Sequence, residues 1–234
     1  MTESNSATPP SPDRGSLAWL APLYQSGSSL RVWLLLLWRH AGRIHWRCWL
    51  LIPLATGLIV VGSLQGLIGR LLFSRAVKRR PMAGPPVFVL GHWRSGTTLL
   101  HELITLDERF AFPSNYECFQ SCHFMVTGPL VHWLSRSAAP KKRPMDDMKA
   151  TLSSPGEDEA ALRNLGAASF YNNLFFPSRA DDLDASLDLQ KLPLEQQIRW
   201  KQVFEHFLQQ LNIRFGRPLV MKSPTRTAHA QTLL

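Results

Sequence analysis

Val87-Phe88-Val89-Leu90-Gly91-His92-Trp93-Arg94-Ser95-Gly96-Thr97-Thr98-Leu99-Leu100 is the stretch from which the fold is read. Four apolar residues, with β-branched Val at alternate positions, form a short buried strand. A turn bounded by Gly91 and Gly96 follows, and Thr97 to Leu103 begins a helix. A strand, a glycine-bounded loop and a helix in that order aim consecutive backbone N–H groups at one point. The positive end of the helix dipole faces the same point, which makes an anion site for phosphate or sulfate.

Gly, four residues, Gly is the spacing of a P-loop. In nucleotide triphosphatases a Lys follows the second Gly and reaches the β- and γ-phosphates. Thr97 stands there instead, and the cation comes earlier, at Arg94. That exchange argues against ATP or GTP hydrolysis, while Thr97 and Thr98 still cradle an anion. The bland alternative is a tight strand–helix turn without a ligand. Two Gly, an Arg, a Ser and two Thr rarely crowd such a turn.

The run Gly91-His92-Trp93-Arg94-Ser95-Gly96-Thr97-Thr98 resembles the 5′-phosphosulfate loop of sulfotransferases that use 3′-phosphoadenosine 5′-phosphosulfate (PAPS). Its Arg-Ser-Gly-Thr-Thr core is more similar to the tyrosylprotein and bacterial branches than to the cytosolic one, where Lys takes the place of Arg94. Pro218-Leu219-Val220-Met221-Lys222-Ser223-Pro224 is similar to the strand ending in Lys-Ser-Pro of the bacterial branch. With Phe112-Pro113-Ser114-Asn115-Tyr116-Glu117-Cys118-Phe119, the resemblance covers residues 84–234.

The resemblance implies PAPS as co-substrate, an acceptor carrying a hydroxyl, and no metal. Sulfuryl transfer needs an activated hydroxyl, a sulfuryl group held in line, and stabilisation of the charge that grows on the leaving phosphate. Gly91, His92, Trp93, Arg94, Ser95, Gly96, Thr97 and Thr98 are the expected donor-binding residues. Arg94 and Lys222 are the expected catalytic cations. Glu117, placed after the loop much as tyrosylprotein sulfotransferases place their catalytic Glu, is the first choice of base, and a helix-start Glu is its bland reading. His123 is the runner-up, since cytosolic relatives use His. In the family a strand and an Arg/Ser pair beyond the Lys-Ser-Pro helix bind the 3′-phosphate, so the resemblance implies an incomplete domain here.

Charge divides the chain. No acid occurs between Asp13 and Glu102, whereas residues 14–101 hold eleven Lys and Arg; the formal +9 is −2 from residues 1–13, +11 from 14–101 and 0 from 102–234. The basic segment encloses Cys48 to Gly69, 22 residues without charge. As a helix this run is about 33 Å long, enough for a bilayer core. Arg31, Arg39, Arg43 and Arg47 precede it, and Arg70, Arg75, Lys78, Arg79 and Arg80 follow. Residues 29–80 therefore read as a membrane-lipid segment, a single spanning helix or one lying in the interface, with packing on the soluble domain as the third reading. The near balance of charge on the two sides leaves orientation open. Gly62 and Gly66 let another helix approach closely. Val32 to Trp38 is too short to span and reads as a surface stretch. A pI near 10.0 invites nucleic acid, but the Arg residues are interleaved with Leu, Ile and Trp, so membrane is the better reading and no nucleic-acid partner is expected.

Residues 1–28, rich in Ser, Pro, Gly and Thr, are expected to be disordered and are not a secretory signal. Residues 29–82 form the basic apolar segment, and 83–234 the P-loop domain. Within it, Phe110 to Phe112 reads as a strand, Glu117 to Arg136 as a helix, and Pro140 to Asp147 as a polar loop. Glu157-Asp158-Glu159 opens a helix, where acids suit the dipole; a similar acidic run recurs in the bacterial branch. Leu194 to Leu211 is amphipathic, with Phe204, Phe207, Leu208 and Leu211 on one face. Thr227 to Leu234 starts a last helix. Strands alternating with helices imply an α/β fold with a doubly wound parallel sheet, preceded by the hydrophobic helical segment. Cys118, Cys122 and His123 have metal-ligand chemistry, but their spacing is that of a helix face and buried thiols are the simpler reading.

Two other functions compete. A P-loop kinase or NTPase needs Lys at position 97 and an Asp closing a downstream strand, where Thr97 and Lys222 stand. A non-catalytic, membrane-anchored anion-binding domain needs only the loop.

Overall fold

The computed structural model describes residues 25–44, 46–135, 141–142, 149–172 and 187–229. The expected disorder of residues 1–24, most of the polar loop at 140–147, and the last-helix residues 230–234 lie outside them.

The sheet is parallel and small. Strand β1 (Val87–Val89) pairs with β4 (Val220–Lys222) in register Val87↔Val220 and Val89↔Lys222. On the opposite edge of β4, Ala111 forms a parallel bridge to Leu219, so the expected strand at Phe110 to Phe112 is reduced to one bridging residue. The β4 segment is thus central, which explains its sequence: Leu219, Val220 and Met221 are fully buried on both faces. Lys141–Lys142 (β2) and Lys149–Ala150 (β3) form a separate antiparallel pair.

Helix α4 (Thr97–Ile104) follows β1, and α5 (Asn115–Phe119) follows the Ala111 bridge. The helix expected from Glu117 to Arg136 is broken at Gln120–His123, and α6 (Phe124–Ser135) continues it with Pro129 inside. Helix α7 (Asp158–Asn164) and the long α8 (Leu194–Phe215) complete the described fold. The face read from the sequence is the one α8 buries: Trp200, Phe204, Phe207, Leu208 and Leu211 pack with Tyr116, Phe124, Leu162 and Met221. Gly216, at φ 63°, takes the left-handed conformation that ends α8.

The apolar segment differs from expectation in where it bends. Helix α2 (Trp46–Trp49) takes part of the uncharged run, and a new helix, α3 (Ile52–Arg79), starts with Pro53 in its first turn. Pro lacks the N–H that an interior position must donate, so it resets the helix there. Helix α3 then runs past Gly69 to Arg79, with Lys78 and Arg79 at its negative end. Helix α1 (Leu30–His40) packs on it, burying Trp33 against Ala55 and Ile59. The Trp33 indole N–H donates to Thr56 Oγ1 at 2.9 Å, and the Leu30 N–H to Ser63 Oγ at 2.9 Å. Gln25 and Ser28, expected in the disordered stretch, are buried: Ser28 Oγ donates to Asn164 and Arg163 to Gln25.

The close approach foreseen at Gly62 and Gly66 occurs, and the partner is the α5–α6 corner. A Cβ on Gly62 would lie 2.8 Å from the His123 ring, and one on Gly66 would lie 2.5 Å from the Cys122 carbonyl oxygen. Only glycine admits that contact.

Candidate functional site

Parallel pairing places the carboxyl ends of β1 and β4 side by side, and each strand hands on to a turn that carries candidate site residues. After β1, Gly91 is fastened by Thr227, whose Oγ1 accepts from the Gly91 N–H at 2.8 Å and donates to its carbonyl at 3.0 Å. Ser95 Oγ donates to the His92 carbonyl at 2.6 Å and closes the loop on itself. Arg94 (φ 64°) and Gly96 (φ 82°) are left-handed. For Gly96 that is free of cost; for Arg94 it costs about 1–2 kcal/mol. Residues His92 to Gly96 are exposed, and Gly96 offers no side chain to cap α4. The first N–H groups of α4 therefore point into the open loop, as an anion site requires.

At the end of β4 stands Lys222, whose side chain is 4% exposed. Its Nζ donates to Thr98 Oγ1 at 3.1 Å and to Glu157 Oε1 at 2.5 Å. The second Glu157 oxygen accepts from the Tyr171 hydroxyl. Burial pushes the Tyr171 phenol well above its usual range, with the Glu157 charge adding to it, so Tyr171 stays a donor. Thr98, Lys222, Glu157 and Tyr171 thus form one polar chain beside the loop. On its flank, Trp93 meets Phe170 with ring centroids 5.7 Å apart.

The acidic triplet splits by direction. Asp158 and Glu159 turn inward to Arg226, at 2.7 and 3.3 Å, and Thr225 Oγ1 donates to Glu159 at 2.8 Å. The Arg226 guanidinium lies over Trp200 and Phe204, at 4.8 and 4.9 Å from the ring centres. Residues 158, 159 and 226 are fully or almost fully buried, so the start of α7 is locked to the Lys-Ser-Pro turn. Glu157, the helix N-cap residue, is left facing Lys222.

Of the expected donor-site residues, Lys222 touches Thr98 at the start of α4, while Arg94 and Ser95 lie in the exposed loop before it. Glu117 sits elsewhere in the network. It is fully buried and forms a capping box: its Oε2 accepts from the Ser114 N–H at 2.9 Å and from the Ser114 hydroxyl. Its Oε1 lies 3.1 Å from Arg214 of α8. His123 lies under α3, its ring hydrogen-bonded to Thr127 and Gln120, and burial lowers its pKa. The carboxylate on Lys222 is Glu157, which sequence reasoning treated as a helix-start acid. Nothing in Glu-Asp-Glu tells which acid turns outward; only the recurrence of the run in the bacterial branch pointed to it. Cys118 is buried beneath Gly156 and its thiol is pushed up by burial, the state of a packed thiol. Among the described residues no three His, Cys, Asp or Glu side chains converge as metal ligands do.

His101 on α4 is buried behind this site, and its pKa falls to about 4, first through desolvation and then through Lys222. His229, beside Arg226, falls to about 4 for the same leading reason. Both stay neutral in the folded protein, whereas the unfolded chain takes up protons below about pH 6.5. Stability is therefore full above that value and is lost as pH falls toward 4, by roughly 2 kcal/mol per His at pH 5. Melting temperatures at pH 7 and pH 5 check this, and His101→Gln should shrink the difference.

A family model described as "Sulfotransferase family" matches residues 85–234. Two curated proteins named omega-hydroxy-beta-dihydromenaquinone-9 sulfotransferase Stf3, from Mycobacterium bovis and Mycobacterium tuberculosis, are each 37% identical over 220 residues. The match covers 92% of this chain and 55% of each relative, so the chain spans about half the length of the curated proteins it matches. No solved structure matches it. With its Gly91–Gly96 loop and its Lys-Ser-Pro turn both inside the matched region, the chain belongs to the sulfotransferase family.

Proposed function

We propose that this protein moves a sulfuryl group from PAPS to the hydroxyl of an acceptor, and that the acceptor is an apolar molecule drawn from a membrane. The contact that carries the reading is Lys222 Nζ to Thr98 Oγ1, which brings a buried ammonium to the mouth of the anion loop. The acceptor oxygen attacks sulfur, the bond from sulfur to the 5′-phosphate oxygen breaks, and 3′,5′-adenosine bisphosphate leaves. The loop N–H groups, Ser95, Thr97 and Thr98 hold the 5′-phosphate. Arg94 faces the sulfuryl oxygens, and Lys222 faces the oxygen on which charge grows. We assign the acceptor proton to Glu157, which lies against Lys222 with its side chain 29% exposed, because the Glu117 side chain is fully buried and paired with Arg214 of α8.

Three observations support a membrane acceptor. The relatives are named for a hydroxylated menaquinone, and α3 is long and apolar enough to cross a membrane. Trp93 and Phe170 supply an apolar wall beside the loop.

The donor reading is tested by thermal shift with 3′,5′-adenosine bisphosphate against ATP plus Mg²⁺. Stabilisation by the bisphosphate is expected; stabilisation by ATP plus Mg²⁺ alone overturns it in favour of a kinase-like site. Arg94→Ala should weaken bisphosphate binding by roughly 1.5–3 kcal/mol, the range of a hydrogen bond to a charged group. An affinity indifferent to that change removes Arg94 from the donor site.

A further inference from the structure

We infer that α1 and α3 lie flat in the surface of one anionic leaflet and do not cross the bilayer. The inference rests on the membrane association proposed above and specifies its geometry.

Helix α3 has one narrow buried face, carrying Ala55, Ile59, Gly62, Gly66 and Gly69. Around the rest of the helix apolar side chains are exposed: Leu54, Leu58, Val61, Leu64, Ile68 and Leu72 form a stripe along residues 54–72, with Val60, Leu67 and Leu71 beside it. Leu34, Leu35 and Trp38 of α1 are exposed as well.

What packs on the buried face decides the orientation. Gly62 and Gly66, near the middle of α3, rest on His123 and Cys122. His123 belongs to a polar cluster with Gln120 and Thr127, and Gln120 donates to Ser26. Further along, α3 runs beside α8, where the His206 pKa is lowered first by burial and then by the nearby Arg70. Were α3 to stand along the bilayer normal, this half-buried corner and the flank of α8 that carries the exposed Lys201 and Glu205 would be carried to the depth of the hydrocarbon. Polar groups placed there without water are heavily penalised. Laid in the interface, the same helix sinks its leucine stripe about 5–10 Å into the headgroup boundary and keeps the folded domain in water.

Charge selects the surface. Residues 29–80 contain nine Lys and Arg and no acid, which matches a leaflet bearing anionic lipids. A monotopic placement also sets the donor loop on the water side of the leaflet that holds the acceptor.

The test measures depth at three points of the exposed stripe. Leu54→Cys, Leu64→Cys and Leu72→Cys are each made in a chain with Cys48→Ser, Cys118→Ala and Cys122→Ser, and each is labelled with a small fluorophore. Labelled proteins are bound to phosphatidylcholine/phosphatidylglycerol vesicles whose acyl chains carry bromine at graded depths. Positions 54 and 72 are about 27 Å apart along the helix. Quenching of all three labels by the same shallow bromines is expected. Deep quenching at 64 with shallow quenching at 54 and 72 shows a spanning helix, overturning this inference while leaving membrane association in place. Labels that stay unquenched on protein left in the supernatant overturn both. Melting curves of the labelled variants, expected within a few degrees of the parent, confirm that the domain stayed folded; a variant that melts early is replaced by its neighbour on the stripe, Leu58 or Ile68.

Discussion

Lys222→Ala should lower sulfuryl transfer by about 10²–10³-fold, the usual loss when one preorganised group is taken from a developing charge. Lys222 is held by Thr98 and Glu157 in a nearly water-free position, so its charge needs no reorganisation during the reaction. Because the charge it faces grows on the leaving phosphate, the loss should be similar for acidic and for weakly acidic acceptors. Steady-state transfer from labelled PAPS measures it. A variant that keeps more than a tenth of parental turnover excludes Lys222 from the reacting centre. Removal of the ammonium leaves Glu157 without its cation, so the comparison belongs at a temperature where both proteins are folded.

Glu157→Gln should reduce turnover by about 10²–10⁴-fold while leaving bisphosphate affinity nearly intact, since general-base catalysis contributes in that range and Gln preserves shape. Its effect should shrink for acceptors of low pKa, which release their proton with little help. Glu117→Ala should behave differently. It breaks an ion pair whose carboxylate is fully buried and whose Arg214 side chain is 14% exposed, at a cost of about 3–5 kcal/mol in stability. At a temperature where that variant is still folded, its turnover should be close to parental. The reverse pattern, with Glu157→Gln active and Glu117→Gln dead though folded, returns the base to Glu117, as the tyrosylprotein resemblance implies. Loss confined to His123→Ala assigns it to His123.

These two residues show where sequence reading succeeds and where it stops. The loop and Lys222 were legible because each is bound to a local pattern: a strand, a glycine pair, a Lys-Ser-Pro turn. Adjacency of β1 and β4 then follows from two apolar runs that must share one buried sheet. The partner of Lys222 has no such local mark. Glu117 and Glu157 are both acids at helix starts, and the difference between them lies in Arg214 and Arg226, which are 97 and 69 residues away in the chain. In the same way, Gly62 and Gly66 announced a close contact without naming what approaches. The bend at Leu50–Leu51 was hidden because hydropathy does not distinguish an unbroken apolar helix from one reset by Pro53.

The bond between Gly91 and Thr227 spans 136 residues, and it has a consequence for how the protein comes into being. At ordinary synthesis rates of about 5–20 residues per second, roughly 7–27 s separate the emergence of these two residues. During that interval β1 lacks its β4 partner and the loop lacks Thr227, which follows β4. The apolar hairpin of α1 and α3, whose Trp33–Thr56 bond spans only 23 residues, is complete well before then. On the membrane and donor roles proposed above, a nascent chain meets lipid first and completes its donor loop last, when contacts far apart in the sequence close.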